Sequence, residues 1–518
     1  MHYPPAAADY CEATADIPLM RSGRSPEELR SYRYFMEVTA PSLAGALHTN
    51  FWLLEMPRVC HADQAIWHAM VSLGAVHQTY MTNKSPRDSA FNAFALRHYN
   101  AAIKDLVESI SIAKSRWKTL TLSTIFTCIC ILEGQLDQAR MHWRSGYHLL
   151  LDFDHEEEAR LRKLAKTGQP LSAPPELPVS VSSVRSMLIA FEALESKMDK
   201  TKISQPPTLL SEADTYSFWK TYTAPKAPLV LGRYLTVENI SKAVQAAESL
   251  FMALIFSSQS HGKELKALYT EHGYGVLRQA NQDQSAQQRG FVEVENAATL
   301  FRSELDDTGS KLKLRPTKLA ELHKAVVSLR LLQSVNQFLL RHDPEQPDAI
   351  LRQQSLPELC THIVDLAEEA TNLEAAIGYM RTGGPISSPT IMNPLLVVAK
   401  SGFGVATRLR AQELLWKPRM EGVWDSRLAS CLAEKMLLRE SFASRQYREV
   451  PGLKDVVIDN PIARGWDGDG SHEDMILPLA RISNASMIFT SGRSMRVFLR
   501  TWKEWLDEEE GEAFDIEW

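Results

Sequence analysis

The sequence predicts an all-α protein, and three observations carry that prediction. Apolar residues recur at three- and four-residue spacing through most of the chain, the period of one helix face. Helix-start chemistry stands where such runs begin: in SPEELRSYRYFMEVTA, Ser25 reads as the N-cap, Pro26 as the first helical residue and Glu28 as the second half of a capping box. The alternation of apolar and polar residues that a half-buried strand needs is nearly absent. Helices that follow one another in pairs imply an array of antiparallel helical hairpins with tetratricopeptide-like stacking, although no regular repeat of about 34 residues is present.

The elements run in order as follows. Residues 1–24 are rich in Ala, Pro and polar side chains and read as a disordered N-terminal extension. One helical domain is expected over 25–506, clearest at 25–151. Its helical segments begin with the Ser25 run, FWLLEMPRVC, DQAIWHAMVSLGAVHQTYM and DSAFNAFALRHYNAAIKDLVESI. A helical hairpin closes this part. Leu122, Ile125, Phe126, Ile129 and Leu132 share one face, and Gly134 interrupts where a positive φ can end a helix. A second stripe follows at Leu136, Ala139, Trp143, Tyr147 and Leu150, across a turn of one to three residues. Ala139 and Gly146 are small enough to let the second helix come close to the first. Cys128 and Cys130 point about 200° apart on a helix. They cannot grip one metal together and read as small core residues.

A Pro-rich linker, GQPLSAPPELPVS, occupies 168–180. Beyond it, helices are predicted in VRSMLIAFEALESKM, VENISKAVQAAESLFMALIF, TKLAELHKAVVSLRLLQSVNQFLLRH and PELCTHIVDLAEEATNLEAAIGYM. One more is predicted around Val397 to Trp416, then SRLASCLAEKMLLRESFASRQ, and a last helix ending in RTWKEWL. Loose stretches are expected at 281–290 and 381–394, and a Gly- and Asp-rich loop at 451–474.

Composition narrows the function classes. The 518 residues are 44% hydrophobic and 23% charged, ordinary for a soluble globular protein. No apolar run reaches the roughly 18 to 20 residues of a membrane span. The N-terminal residues carry acids rather than a basic segment followed by an apolar core, unlike a secretory signal. Six cysteines are too sparse for a disulfide scaffold and suit a reducing compartment. The net charge is −6 and the pI about 6.2, whereas DNA-binding domains show a basic footprint because phosphate contacts supply most of their affinity. The densest basic run, ARLRKLAK at 159–166, follows DHEEE, and Glu156 with Arg160 and Glu158 with Arg162 have the spacing of helix-surface pairs. A solvated helix face is favoured there over a nuclear-localisation or nucleic-acid patch.

No residue set reads as catalytic, and neither a metal nor a cofactor is expected. Cys60, His61 and His68 are suitable by type, but His61 and His68 stand seven apart rather than the three or four of a helical zinc pair. His77 and His98 read as packing or surface residues. GWDGDGSHED at 465–474 lacks the ligand spacing of a calcium loop. Three residues are nominated as functional: His142, near the hairpin crossing, and Phe514 and Trp518 in the last twelve residues. That tail, DEEEGEAFDIEW at 507–518, interleaves seven carboxylates with Phe514, Ile516 and Trp518. Such a composition keeps a chain extended and its aromatics accessible, as in an acidic activation segment; a merely solvated tail has the same composition.

Five segments in order, SPEELRSYRYFMEVTAPSLAG, the FW pair at 51 and 52, DQAIWHAMVSLGAVHQ, RHYNAAIKDL and GQLDQARMHWRSGYHLL, resemble the fungal-specific transcription factor domain family. That family is the all-helical regulatory region of fungal regulators that carry a binuclear zinc cluster. The resemblance also implies a histidine near the hairpin crossing, where His142 stands. The zinc cluster itself needs two closely spaced C-x2-C-x6-C halves; here the cysteines scatter from Cys11 to Cys431. A cluster encoded upstream of Met1 would leave this chain looking the same. The resemblance implies a transcription-factor-like regulator, nuclear or nucleocytoplasmic, of a secondary-metabolite pathway for example. Its partners would be other transcriptional regulators or co-activators, a small-molecule effector or a second copy in a homodimer, with no direct DNA binding by this chain and no membrane. The alternative is a repurposed helical domain acting as a cyclase- or isomerase-type enzyme or a metabolite binder.

Overall fold

The computed structural model describes residues 24–44, 50–81, 89–110, 116–167, 285–311, 316–340, 356–377, 391–401, 404–417, 424–453, 476–491 and 494–518, with scattered positions in 178–188, 235–273, 385–386 and 419–421 and Val456. The protein is all-α overall. Its residues fall into two compact units: 1–196 with 379–388 and 420–423, and 197–378 with 389–419 and 424–518. Almost all of the expected extension at 1–24 and of the linker at 168–180, and the loop expected at 451–474 apart from 451–453 and Val456, lie outside the described residues.

In the first unit, helix α1 (Pro26–Tyr34) starts with the expected capping box. The Ser25 hydroxyl accepts from the Glu28 N–H at 3.2 Å, and the Glu28 carboxylate accepts from the Ser25 N–H at 2.7 Å. The chain runs through a π-helical turn, Phe35–Thr39, into α2 (Ala40–Ala44). A second π-helical turn, Asn50–Glu55, leads into α3 (Met56–Cys60). Four long helices follow: α4 (Gln64–Met81), α5 (Ser89–Ile110), α6 (Arg116–Leu132) and α7 (Leu136–Thr167). Helix α4 is buried from Ala65 to Val76 except at His68 and contacts α1, α5 and α6. It can approach α1 closely because of Gly74: a Cβ there would stand 2.5 Å from the Ser31 carbonyl oxygen. The Ser31 hydroxyl donates to the Val71 carbonyl at 2.7 Å and closes the same crossing.

The α6–α7 hairpin forms as its pattern predicts. Helix α6 ends in a Schellman motif: the Gln135 N–H donates to the Cys130 carbonyl at 2.8 Å and the Gly134 N–H to Ile131 at 3.0 Å, with Gly134 at φ 72°. Cys128 and Cys130 are both buried among apolar neighbours. Gly146 faces Ser123, whose Cβ would lie 3.0 Å from an added methyl. Trp143 is 1% exposed, stacks on Tyr147 at 5.5 Å and donates its indole N–H to the Leu188 carbonyl at 2.8 Å. Helix α6 also buries four hydroxyls, and each is satisfied within the helix. Thr121, Ser123, Thr124 and Thr127 donate to the carbonyls of Trp117, Thr119, Leu120 and Ser123. Strands β1 (Pro385–Ile386) and β2 (Met420–Glu421) pair in parallel in this unit.

The second unit contains α8 (Ser285–Lys311), α9 (Pro316–Leu340), α10 (Leu356–Ile377), α11 (Met392–Ser401) and α12 (Val405–Trp416). The two-residue strand β3 (Trp424–Asp425) then leads into α13 (Ser426–Arg448). Val327, Leu331, Val335 and Phe338 of α9 share a core with Ile363, Val364 and Ala367 of α10. Charges are buried as well. Arg408 pairs with Glu440 at 2.6 Å and donates to the Ala399 carbonyl at 2.8 Å, while Glu440 accepts the Ile482 N–H at 2.9 Å. Lys324 pairs with Glu374 at 2.8 Å.

Several expectations are corrected here. The single helix around Val397–Trp416 is two helices, because Gly404 takes φ 80°. Residues 285–290 of the loose stretch are the first turns of α8. The last helix, expected to end in RTWKEWL, is mostly an antiparallel hairpin, β4 (Ile482–Ser491) with β5 (Ser494–Thr501). Only Trp502–Leu506 is helical (α14), and it is started by a capping box between Thr501 and Glu504. The tail at 507–518 ends as strand β6 (Glu512–Glu517), antiparallel to β5 with Phe514 opposite Val497. Ile516 is 2% exposed, and Phe514 and Trp518 are half-buried against Met495, Val497 and Leu499. The period-2 spacing of Phe514, Ile516 and Trp518 fits one face of a strand, and burial of that face outweighs repulsion among the acids. Arg496 adds a paired charge by binding Asp515 at 2.8 Å. No helix among the described residues is long and apolar enough to cross a membrane.

Replacing Trp143 tests the hairpin packing. Trp143→Ala is expected to cost about 3 to 5 kcal/mol, as for a buried aromatic, and Trp143→Phe about 1 kcal/mol less than that because it loses chiefly the hydrogen bond to Leu188 and part of the ring. Urea unfolding of the two variants against wild type measures both.

Candidate functional site

Among the described residues of the first unit, a group of half-buried polar side chains gathers where α1, α4 and α5 meet. Helix α4 begins at Asp63, whose carboxylate accepts the Ile66 N–H at 3.1 Å and pairs with the buried Lys118 at 2.9 Å. That start fixes the rotation of α4. The one interruption in its buried run, His68, then emerges half-buried beside His98 of α5. Their Nδ1 atoms are 2.8 Å apart and their rings 4.9 Å apart. The Ser72 hydroxyl donates to the Ala95 carbonyl at 2.9 Å and holds α4 and α5 together one turn away. Phe94 packs on the His98 ring at 4.5 Å.

Glu28 completes the group from the first turn of α1. One carboxylate oxygen serves the capping box; the other accepts the Trp67 indole N–H at 3.4 Å. Trp67 is itself clamped between the Arg24 guanidinium, 3.3 Å from its ring centroid, and Tyr32 at 4.6 Å. Glu28, His68 and His98 each present a donor atom within 4.8 Å of the others. They are the residues here whose chemistry suits a metal ion. Burial pushes both imidazoles below their usual pKa, and the neighbouring partner ring adds to this at His98, so both are neutral at neutral pH. Burial alone would raise the Glu28 carboxyl, but hydrogen bonds from Ser25 and Trp67 outweigh it and hold Glu28 ionised.

The residues singled out from the sequence as metal candidates divide around Trp67. Cys60 and His61 gather instead on Tyr32: the Cys60 thiol lies 3.6 Å from the Tyr32 hydroxyl, which lies 3.4 Å from His61 Nε2. Burial pushes the Cys60 thiol up to about 11, so it is a neutral thiol rather than a ligand thiolate. His68 is brought to His98, which sequence spacing marked only as packing or surface. The α4–α5 crossing joins these residues across 30 positions, and no local spacing signals that.

His142 lies on α7 over the hairpin. Its Nε2 is 2.7 Å from the Tyr99 hydroxyl, and its ring packs on Phe126 at 5.2 Å. The Tyr99 hydroxyl also lies 3.9 Å from Cys130 Sγ. Burial holds His142 at about 4, raises Tyr99, and pushes Cys130 up to about 11. All three are uncharged at neutral pH, so this group is a hydrogen-bonded cluster in apolar surroundings with no charge to offer a ligand. Phe514 and Trp518 belong to the sheet of the second unit.

Residues 30–211 match the fungal specific transcription factor domain. The segment begins inside α1 and takes in α2 to α7, and with them His68, His98 and His142; Glu28 stands just upstream. Comparison with curated proteins and with solved structures gives no match. The match suggests a transcription-regulator-like role for the helical segment just described.

The buried histidines of the first unit set a pH dependence. His77, fully buried with its Nδ1 3.0 Å from the Thr39 hydroxyl, is held at about 4, as is His142. Both values lie below the 6.5 of an unfolded histidine, so the unfolded chain takes up protons first as pH falls. Stability is full above about pH 6.5, declines by up to about 1.4 kcal/mol per pH unit for each histidine, and levels off below about pH 4. Urea unfolding at pH 7.5 and 5.0 should show this loss, and His142→Gln should remove the share that His142 contributes. An unchanged pH slope in that variant would assign the loss to other groups.

Proposed function

We propose that this protein regulates gene expression in the nucleus, or between nucleus and cytoplasm, through contacts with other transcriptional regulators or co-activators rather than through DNA contacts of its own. The observation that supports this reading is the match of residues 30–211 to the fungal specific transcription factor domain. The charge agrees: a net of −6 and a pI of about 6.2 give phosphates little to bind. A small-molecule effector, a homodimer and target genes in a secondary-metabolite pathway belong to the same proposal. The packing of Phe514 and Trp518 against their own unit argues that partners meet the chain elsewhere than at this tail.

Two experiments test the proposal. The purified chain should bind duplex DNA no better than an unrelated acidic protein, and a tight complex weakening steeply with salt would overturn that part. Tethered to a heterologous DNA-binding domain, the full chain should change reporter transcription at least several-fold, and deleting its gene should alter a coherent set of transcripts. An inert tethered chain together with an unchanged transcript profile would overturn the regulator reading.

A further inference from the structure

We infer that Glu28, His68 and His98 form a binding site for a divalent transition-metal ion of the zinc type. This goes beyond the regulator reading and does not depend on it. Three helices contribute one donor atom each within 4.8 Å. Two imidazole nitrogens and a carboxylate oxygen are the donor set of borderline divalent ions, with the remaining position left to water. A tetrahedral ion at about 2.0 to 2.2 Å from each donor spaces donors roughly 3.3 Å apart. The histidine nitrogens, now at 2.8 Å, open slightly to admit it, and the carboxylate closes in. All three side chains are half-buried, so solvent reaches the site while the walls hold it.

Protonation fits as well. Both imidazoles are neutral at neutral pH, which metal binding requires, and Glu28 is ionised. The nearby charges are Glu27, Glu28 and Asp105 against Arg24 and Arg97, an excess of one negative charge before an ion arrives. A second shell is present. Gln64 Nε2 stands 3.1 Å from His68 Nε2. With the ion on Nδ1, the ring proton moves to Nε2 and donates to the Gln64 side chain, whose amide turns to offer its oxygen. The Trp67 indole N–H steadies the carboxylate, and each carboxylate oxygen keeps a lone pair for the ion. The carboxylate thus stands where a third ligand is needed and the glutamine where a second-shell partner is needed.

The test uses the full chain, stripped with chelator and titrated with Zn2+ by calorimetry and with Co2+ by visible absorption. One ion per chain is expected, with a Co2+ spectrum typical of nitrogen and oxygen ligands. His68→Gln and His98→Gln should each weaken binding at least about 100-fold, and Gln64→Ala about 10- to 100-fold as a second-shell loss. Cys60→Ser should bind like wild type. Circular dichroism of each variant checks folding, and wild type offers a readout free of substitutions: Zn2+ should protect His68 and His98, but not His61, from acylation by diethyl pyrocarbonate. No stoichiometric ion in wild type, undiminished affinity in folded His68→Gln and His98→Gln, or protection at His61 instead would overturn the assignment.

Discussion

Helix α4 has almost no side left for water, and the first unit is arranged around that constraint. Twelve residues between Ala65 and His77 are buried, so the helix is stable only when α1, α5 and α6 enclose it; propensity alone does not sustain a helix hidden on every side. The enclosure depends on backbone proximity at one position. Gly74 lies against the Ser31 carbonyl where any side chain would collide, and Ser31 in turn bonds Val71. Helix α1 is thereby held by its middle, and its first turn lies over Trp67. The same approach that completes the core also brings a carboxylate to a pair of imidazoles.

Much of this was legible in the residues. The Ser25–Glu28 capping box, Gly134 at the end of α6 and the stripe of Ala139, Trp143, Tyr147 and Leu150 are local signals, set by contacts three or four positions apart, and they hold in the structure. The C-terminal sheet was less legible, although Met495, Val497 and Leu499 do alternate inward along β5. Val497, Phe498 and Leu499 are contiguous apolar residues, which blurs a period of two, and the capping box of α14 just beyond looks like the end of a longer helix. The tail misled for a different reason. Seven acids suggested extension by repulsion, yet a strand places every second side chain outward, so Asp515 and Glu517 reach solvent while Ile516 is covered. The pairing of His68 with His98 and Glu28 could not be read at all, because it depends on how three helices cross.

The second unit solves the burial of polar groups by a different route. Glu440 sits 1% exposed and is shared by Arg408, the Ile482 N–H and Arg481 at 3.6 Å. Arg439 pairs with Glu504, the residue that also caps α14. Such pairs add little net stability over apolar packing, but removal of one partner leaves a stranded charge that is costly. They join α12, α13 and the sheet at these points, where apolar packing alone would leave the charges stranded.

Helix α6 shows the opposite economy, and it bears on how the first unit is held together. Its four buried hydroxyls are turned back onto their own helix, so they give neighbouring helices no directional bond to break. At Ser123 the helix runs close to the backbone of α7 at Gly146. What ties the two helices directionally lies at one end instead, where Arg116 of α6 pairs with Asp152 and Glu156 of α7 and lies over the Phe153 ring. Between that end and the Gly134 turn, fit alone sets how closely the two helices lie.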